Sequence, residues 1–201
     1  MIDEGYIKFN CHWIKGKAPR LREVNEMNRV RTELHEKKLI GVYEDGVGFG
    51  NISVRAKGKA KFIVSGTQTG QIPVLNENHY AFVLDYDLSE NSLTCEGRVK
   101  ASSESLTHAA LYDLSPDIGA IIHIHHPDFW RKLLNRIPTT KKEVPYGTPE
   151  MALEMKRLYQ ESDLPEKKIL VMAGHEEGIL AFGSYFSEAR RVLFETIGNL
   201  Q

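Results

Sequence analysis

Cysteine is scarce in this chain: Cys11 and Cys95 are the only two in 201 residues. They lie far apart and have no CxxC partner, which argues against a cysteine-built zinc knuckle or a disulfide scaffold. Two reduced thiols are expected, with one bridge between them as the alternative. Long apolar runs are missing as well. None approaches the ~20 residues that cross a bilayer, so no membrane-spanning helix is expected. The opening MIDEGYIKFN does not have the basic-then-apolar plan of a secretory leader, and the expected compartment is the cytoplasm. Charge of one sign is lacking too. Lys and Arg total 26 against 27 Asp and Glu, a formal net charge of −1. Apart from Lys57, Lys59 and Lys61, which read as hairpin decoration, the basic residues are scattered. That balance gives no field to steer nucleic acid or an acidic membrane surface. No repeat, low-complexity tract or linker divides the chain. Its length, with 41% apolar and 26% charged residues, suits one globular domain over 1–201 with a real core.

Hydrophobic periodicity sets the expected elements. Residues 1–19 mix aromatic, basic and Pro/Gly signals and read as an irregular arm. Val24, Met27, Val30 and Leu34 recur at helical spacing, so a helix is expected over 21–38. GVYEDGVGFG is turn-rich. NISVRA and KFIVSG read as two strands joined by a KGK turn, and HYAFVLDYDL as another strand broken by SENS. SSESLTHAALYDL reads as a helix with a serine N-cap. GAIIHIHH is a strand, followed by a helix from Pro127, where proline suits the first turn. TPEMALEMKRLYQES is helical, KKILVMAG and GILAFG form a strand pair around GHEEG, and SYFSEARRVLFETIGNL closes as an amphipathic helix. Helices interleaved with many short strands imply helices packed on one central sheet.

Three histidines fall within four positions at the end of AIIHIHH. On a strand, side chains alternate faces, so His123 and His125 point the same way about 7 Å apart and His126 points the other way. An HxH pair offers a metal ion two ligands, and a site usually wants three or four. His175, at the end of a strand and opening the GHEEG turn, is the candidate third, in a three-histidine arrangement with open positions. His35 reads as solvated, and His12 and His79 lie among no other ligand types. Glu104 and His108 share a helix face. Their spacing alone favours a surface pair, and the functional alternative makes Glu104 an acid/base, a ligand or both.

In this order, GFGNISVR at 48–55, FIVSGTQTG at 62–70, SSE at 102–104 with His108 four residues on, HIH at 123–125, and His175 with Gly178 resemble the class II aldolase/adducin family. The resemblance runs from about Leu21 to Phe186. It implies an α/β fold, a three-layer α/β/α sandwich with a central, mainly antiparallel sheet. It implies Zn²⁺ on His123, His125 and His175, with Mn²⁺, Fe²⁺ or Co²⁺ also compatible with imidazole. Glu104 is then the catalytic acid/base. Asn51, Ser102, Ser103 and the Thr-Gly turn are the phosphate binders, with the turn aligned on Thr69 and Gly70 because glycine follows directly, or on the Thr67 of SGT. The implied activity is a zinc-dependent aldolase or lyase on a small phosphorylated sugar or hydroxyketone, working through a metal-stabilised enediolate. The alternatives within the family are a dehydratase of the methylthioribulose-1-phosphate type, a decarboxylase, and a non-catalytic adducin-like scaffold; an epimerase fits less well because this chain keeps the SSE glutamate. A homotetramer is the implied assembly. Three features depart from the pattern. GHEEG carries Glu176 and Glu177 where small or apolar residues are common. The segment 137–146 is short, with Tyr146 as its sole tyrosine. The tail after the last helix is short as well.

Overall fold

A computed structural model of the chain describes residues 7–59 and 61–200. Eight strands form one sheet: β1 (Asn10–Lys15), β4 (Asn51–Arg55), β5 (Phe62–Ser65), β6 (Tyr80–Asp87), β7 (Ser92–Gly97), β8 (Ala120–His125), β9 (Ile169–Val171) and β10 (Gly178–Gly183). Their order across the sheet is β1-β7-β6-β5-β4-β8-β10-β9. The β1–β7 pair is parallel and the other pairs are antiparallel, so the expected mainly antiparallel sheet is present. A small hairpin, β2 (Gly41–Val42) with β3 (Gly48–Phe49), stands apart from it.

Helices cover both faces. On one side α1 (Leu21–Glu36) and α6 (Phe186–Gly198) bury Val24, Met27, Val30, Leu34, Phe186, Ala189 and Leu193 against Ile122 and Ile124 of β8. On the other, α2 (Ser105–Leu114) and α4 (Pro149–Glu161) bury Leu106, Ala109, Leu111, Met151 and Met155 against Ile121 of β8, with Phe62 and Val64 of β5 in the same core. Each fully buried side chain of this size stabilises the fold by about 1.5–3 kcal/mol over its exposed state. Two short helices, α3 (Pro127–Leu133) and α5 (Leu164–Lys167), complete the chain. Among the described residues no helix is long and apolar enough to cross a membrane.

Two sequence expectations need correction. Residues 10–15 of the supposed irregular arm form edge strand β1, and residues 1–6 lie outside the described part. NCHWIK alternates exposed and half-buried positions, as an edge strand does, but its Gly/Pro-rich flank hides the pattern in sequence. Strand β7 was not expected either, because SLTCEG has few apolar residues and follows a turn. The β1–β7 pairing brings Cys11 and Cys95, both free, to an Sγ–Sγ distance of 3.8 Å.

Candidate metal centre and anion cradle

Strand β8 sits between β4 and β10, and all six of its residues are buried. Ile122 and Ile124 fill one core, so His123 and His125 share the opposite face, as alternation requires. His175 arrives from the β9–β10 turn, its N–H bonded to Met172 O and its own carbonyl taking the Gly178 N–H. The three rings converge: centroids lie 4.8 Å (123–125), 5.3 Å (123–175) and 4.7 Å (125–175) apart. One nitrogen of each lies within 4.8 Å of the others, a group that could hold a metal ion. Gly178 keeps the space open. A Cβ there would fall 2.7 Å from His175 Cδ2 and 3.1 Å from His123 Nε2.

The donor chemistry suits a divalent ion. Among the described residues no hydrogen-bond partner meets His123 Nε2, although the atom is buried. Asn51 reaches the other ring nitrogen, Nδ1, at 3.4 Å, while its own buried Oδ1 has no partner. Turning that amide over puts Oδ1 on Nδ1–H, satisfies the oxygen, and leaves Nε2 a bare lone pair for a cation. His125 Nδ1 meets the Tyr43 hydroxyl at 2.9 Å, and that hydroxyl donates to Glu177 Oε2 at 2.8 Å. This carboxylate–phenol–imidazole chain leaves His125 Nε2 pointing into the centre, 3.1 Å from His175 Nε2.

Glu104 precedes α2 at the N-cap position and is wholly buried, with Oε1 3.2 Å from His175 Nε2. The serine N-cap expected for α2 is thus displaced: Ser102 Oγ instead accepts the Glu104 N–H at 3.3 Å. Burial pushes the Glu104 carboxyl up to about 8, with the Thr107 hydroxyl and the Lys8 ammonium pulling the other way. The surface-pair reading of Glu104 and His108 fails, since both are fully buried. His108 Nδ1 lies 2.6 Å from Ser53 Oγ, itself 2.8 Å from the Tyr112 hydroxyl. His126 turns away as expected and caps α3, accepting the Phe129 N–H at 3.4 Å. His35 is half-buried rather than solvated, and burial with the nearby Arg31 charge lowers it.

Burial pushes His123 down to about 3 and holds His108, His125 and His175 well below the usual imidazole value. An unfolded chain takes up these protons near pH 6.5, and the metal-free folded chain refuses them, so acid favours unfolding. Glu104 acts in reverse: its contribution is present at low pH and lost as pH rises through about 8. Four imidazoles outweigh one carboxyl. The melting temperature of chelator-treated protein is therefore expected to fall steeply from pH 6.5 to 5, at up to about 1.4 kcal/mol per pH unit for each proton. A flat profile across that window in a thermal melt contradicts the neutral buried imidazoles.

Beside the histidines lies a cavity of about 210 Å³ lined by Asn51, Thr67, Thr69, Gly70, Ser102 and Ser103, with the 45–48 segment of the β2–β3 hairpin at its mouth. It gathers the five expected phosphate binders, and both threonines of SGTQTG reach it. The Thr69 hydroxyl is committed to Gly66 O at 2.8 Å, so Thr69 holds the turn closed. No Lys or Arg side chain is among the residues lining the cavity.

Sequence reasoning missed Tyr43, which sits in a stretch read only as turns, and Lys8, which lies in the supposed arm. Tyr146, the sole tyrosine of the short 137–146 segment, also lies at the cluster. Its ring packs 4.3 Å from the His175 ring, with Lys8 Nζ 3.8 Å from the Tyr146 centroid. The pair of glutamates in GHEEG was the one signal available: Glu176 is exposed, and Glu177 is the acid bound to Tyr43.

Residues 43–197 match the model of the class II aldolase and adducin N-terminal domain, and the chain belongs to that family. A stretch of 76 residues is 42% identical to methylthioribulose-1-phosphate dehydratase from Pseudomonas paraeruginosa, covering 37% of this chain and about a third (33%) of that relative's length. Among solved structures, L-fuculose-1-phosphate aldolase from Thermus thermophilus aligns at 22% identity over 87% of this chain and 85% of its own, with a TM-score of 0.58. A sugar-phosphate aldolase from Thermotoga maritima aligns at 17% identity over 88% and 91%, with a TM-score of 0.64. At these identities the structural likeness establishes the shared fold.

Proposed function

We propose that this protein is a cytoplasmic, metal-dependent carbon–carbon lyase acting on a small phosphorylated sugar or hydroxyketone. The observation that carries the reading is a wholly buried carboxyl, Glu104, 3.2 Å from one of three convergent histidines and adjoining a cavity walled by hydroxyls and amides. His123, His125 and His175 are the proposed ligands. Zinc suits three imidazoles with an open position, and a divalent ion bound there supplies Lewis-acid polarisation of a substrate carbonyl. Ser102, Ser103, Asn51 and the backbone amides of Thr69 and Gly70 hold the phosphate through hydrogen bonds from neutral donors. Glu104 moves the proton. It takes one from the carbon or hydroxyl beside the carbonyl and returns it to the product, helped by a pKa lifted toward neutrality. Tyr146 packs on His175 and backs that ligand. A homotetramer is the proposed assembly.

Dehydration of methylthioribulose-1-phosphate is the second reading, favoured by the 42% identity over 76 residues and by the short 137–146 segment. Both reactions start with the same proton transfer, and one NMR experiment on metal-loaded protein in D₂O separates them. Exchange of solvent deuterium into dihydroxyacetone phosphate supports the aldolase. Loss of water from methylthioribulose-1-phosphate, without that exchange, supports the dehydratase. Neither signal from fully metal-loaded protein leaves the lyase reading without support and favours the adducin-like scaffold.

The Tyr43–Glu177 chain gives an independent prediction about the metal. Tyr43→Phe removes the group that orients His125 through Nδ1. Zinc affinity, measured by competition with a chromophoric chelator, is expected to drop about 10-fold or more, with a similar loss in Glu177→Gln. Unchanged affinity in both variants would remove this chain from the proposed metal site.

A further inference from the structure

Arg31, in the middle of α1, is 1% exposed. Its guanidinium meets only backbone carbonyls among the described residues: Thr69 at 2.9 Å, Gly70 at 3.2 Å, Pro73 at 2.8 Å, and Ile72. Among the described residues no carboxylate pairs with it, and burial pulls the guanidinium down to about 10, with the nearby Tyr80 phenol pulling the other way. A cation this deep without a counter-ion is costly. Four carbonyl dipoles compensate part of that cost and leave a net positive charge.

The carbonyls Arg31 grips belong to the turn that walls the small cavity. A trans peptide directs its C=O and N–H to opposite sides. With Thr69 O turned toward Arg31, the Gly70 N–H points away from it. Gly48, another residue of the cavity wall, packs against this peptide: a Cβ there would fall 3.5 Å from Gly70 N. The guanidinium therefore fixes which way the peptide faces and polarises it so that its N–H is a stronger donor. The cavity wall itself carries one charged residue, the exposed Asp45, whose carboxylate accepts the Val47 N–H at 3.0 Å.

We propose that Arg31 is the positioning residue of the anion cradle: clamped on the carbonyls at 69, 70, 72 and 73, it aims the turn amide at the cavity and supplies from behind the positive charge that the wall lacks, which makes the site selective for a phosphate dianion. The inference rests on the phosphorylated-substrate reading above. It explains how a wall without a cationic side chain accepts a doubly charged group, and it ties α1 to ligand choice although no side chain of α1 lines the cavity.

The probe is inorganic phosphate, titrated by calorimetry into wild type, Arg31→Met and Arg31→Lys, each in metal-loaded and chelator-treated form. Wild type is expected to bind phosphate in both forms. Arg31→Met is expected to weaken binding about 10-fold or more, the scale of one charge-assisted contact. Arg31→Lys keeps the charge and loses the fork that grips the turn, and is expected to bind phosphate more weakly than wild type and more tightly than Arg31→Met. Zinc content and circular dichroism are expected to be the same in all three, which a purely structural role for Arg31 does not predict alongside lost phosphate binding. Phosphate binding by folded Arg31→Met equal to wild type overturns the inference and leaves the phosphorylated-substrate reading standing. No phosphate binding by wild type, or binding only with the metal present, overturns both. If Arg31→Met does not fold, Arg31→Gln is titrated in its place: a loss of about 10-fold upholds the inference, and binding equal to wild type overturns it.

Discussion

Replacing Glu104 with glutamine is expected to lower kcat about 10³-fold, the usual range for removing a positioned acid/base, while the protein keeps its metal. Glutamine is nearly isosteric with the protonated carboxyl. Because burial already pushes Glu104 up to about 8, the neutral amide matches the form that the folded, metal-free protein prefers at neutral pH. Chelator-treated Glu104→Gln protein is thus expected to melt no lower than wild type at pH 8, where the wild-type carboxyl is partly charged and buried. The two readouts separate chemistry from folding. Unchanged turnover removes Glu104 from the mechanism. A loss of metal together with turnover makes Glu104 a ligand rather than the proton carrier.

The second large effect is on the metal itself. Elemental analysis of untagged wild-type protein is expected to give about one zinc or other divalent ion per chain, and His123→Ala close to none. His123 is the choice because its Nε2 is buried and, among the described residues, meets no hydrogen-bond partner. A wild type that takes up no ion even after incubation with zinc reduces the chain to a scaffold that keeps the family's fold. The three buried imidazoles then have no chemical explanation.

Strand β8 was the most legible part of the sequence. Period-two alternation put His123 and His125 on one face and turned His126 off it, and the structure keeps that division. The class of fold followed from interleaved helices and strands and from ordered motifs. What could not be read were contacts between distant segments. Tyr43 reaches Glu177 across 134 positions, and Cys11 meets Cys95 across 84. Nothing local to GVYEDG marks its tyrosine as a partner of a histidine. Arg31 lies four residues after Met27 and three before Leu34, so helical spacing places it on the apolar face of α1, but nothing local shows that the carbonyls of the 69–73 turn receive its charge there. Burial also escaped the sequence. A Glu–His spacing of four is the same on a surface helix and on α2, and packing on both sides of α2 decides which it is.

The glycine at 70 has a consequence for how this chain can vary by descent. A Cβ there would land 2.0 Å from Gly41 O and 3.0 Å from Gly48 Cα, both backbone atoms that cannot swing aside. Any larger residue at 70 has to push the β2–β3 hairpin outward, and the same hairpin carries Tyr43 to His125. A single mutational step at the 69–70 turn is thereby also a step at the hairpin beside the histidine cluster, so the proposed phosphate preference and metal retention are expected to shift together at this position. Lineages that alter one are expected to show a compensating change in the hairpin, at 41–49, rather than a tolerated alanine at 70.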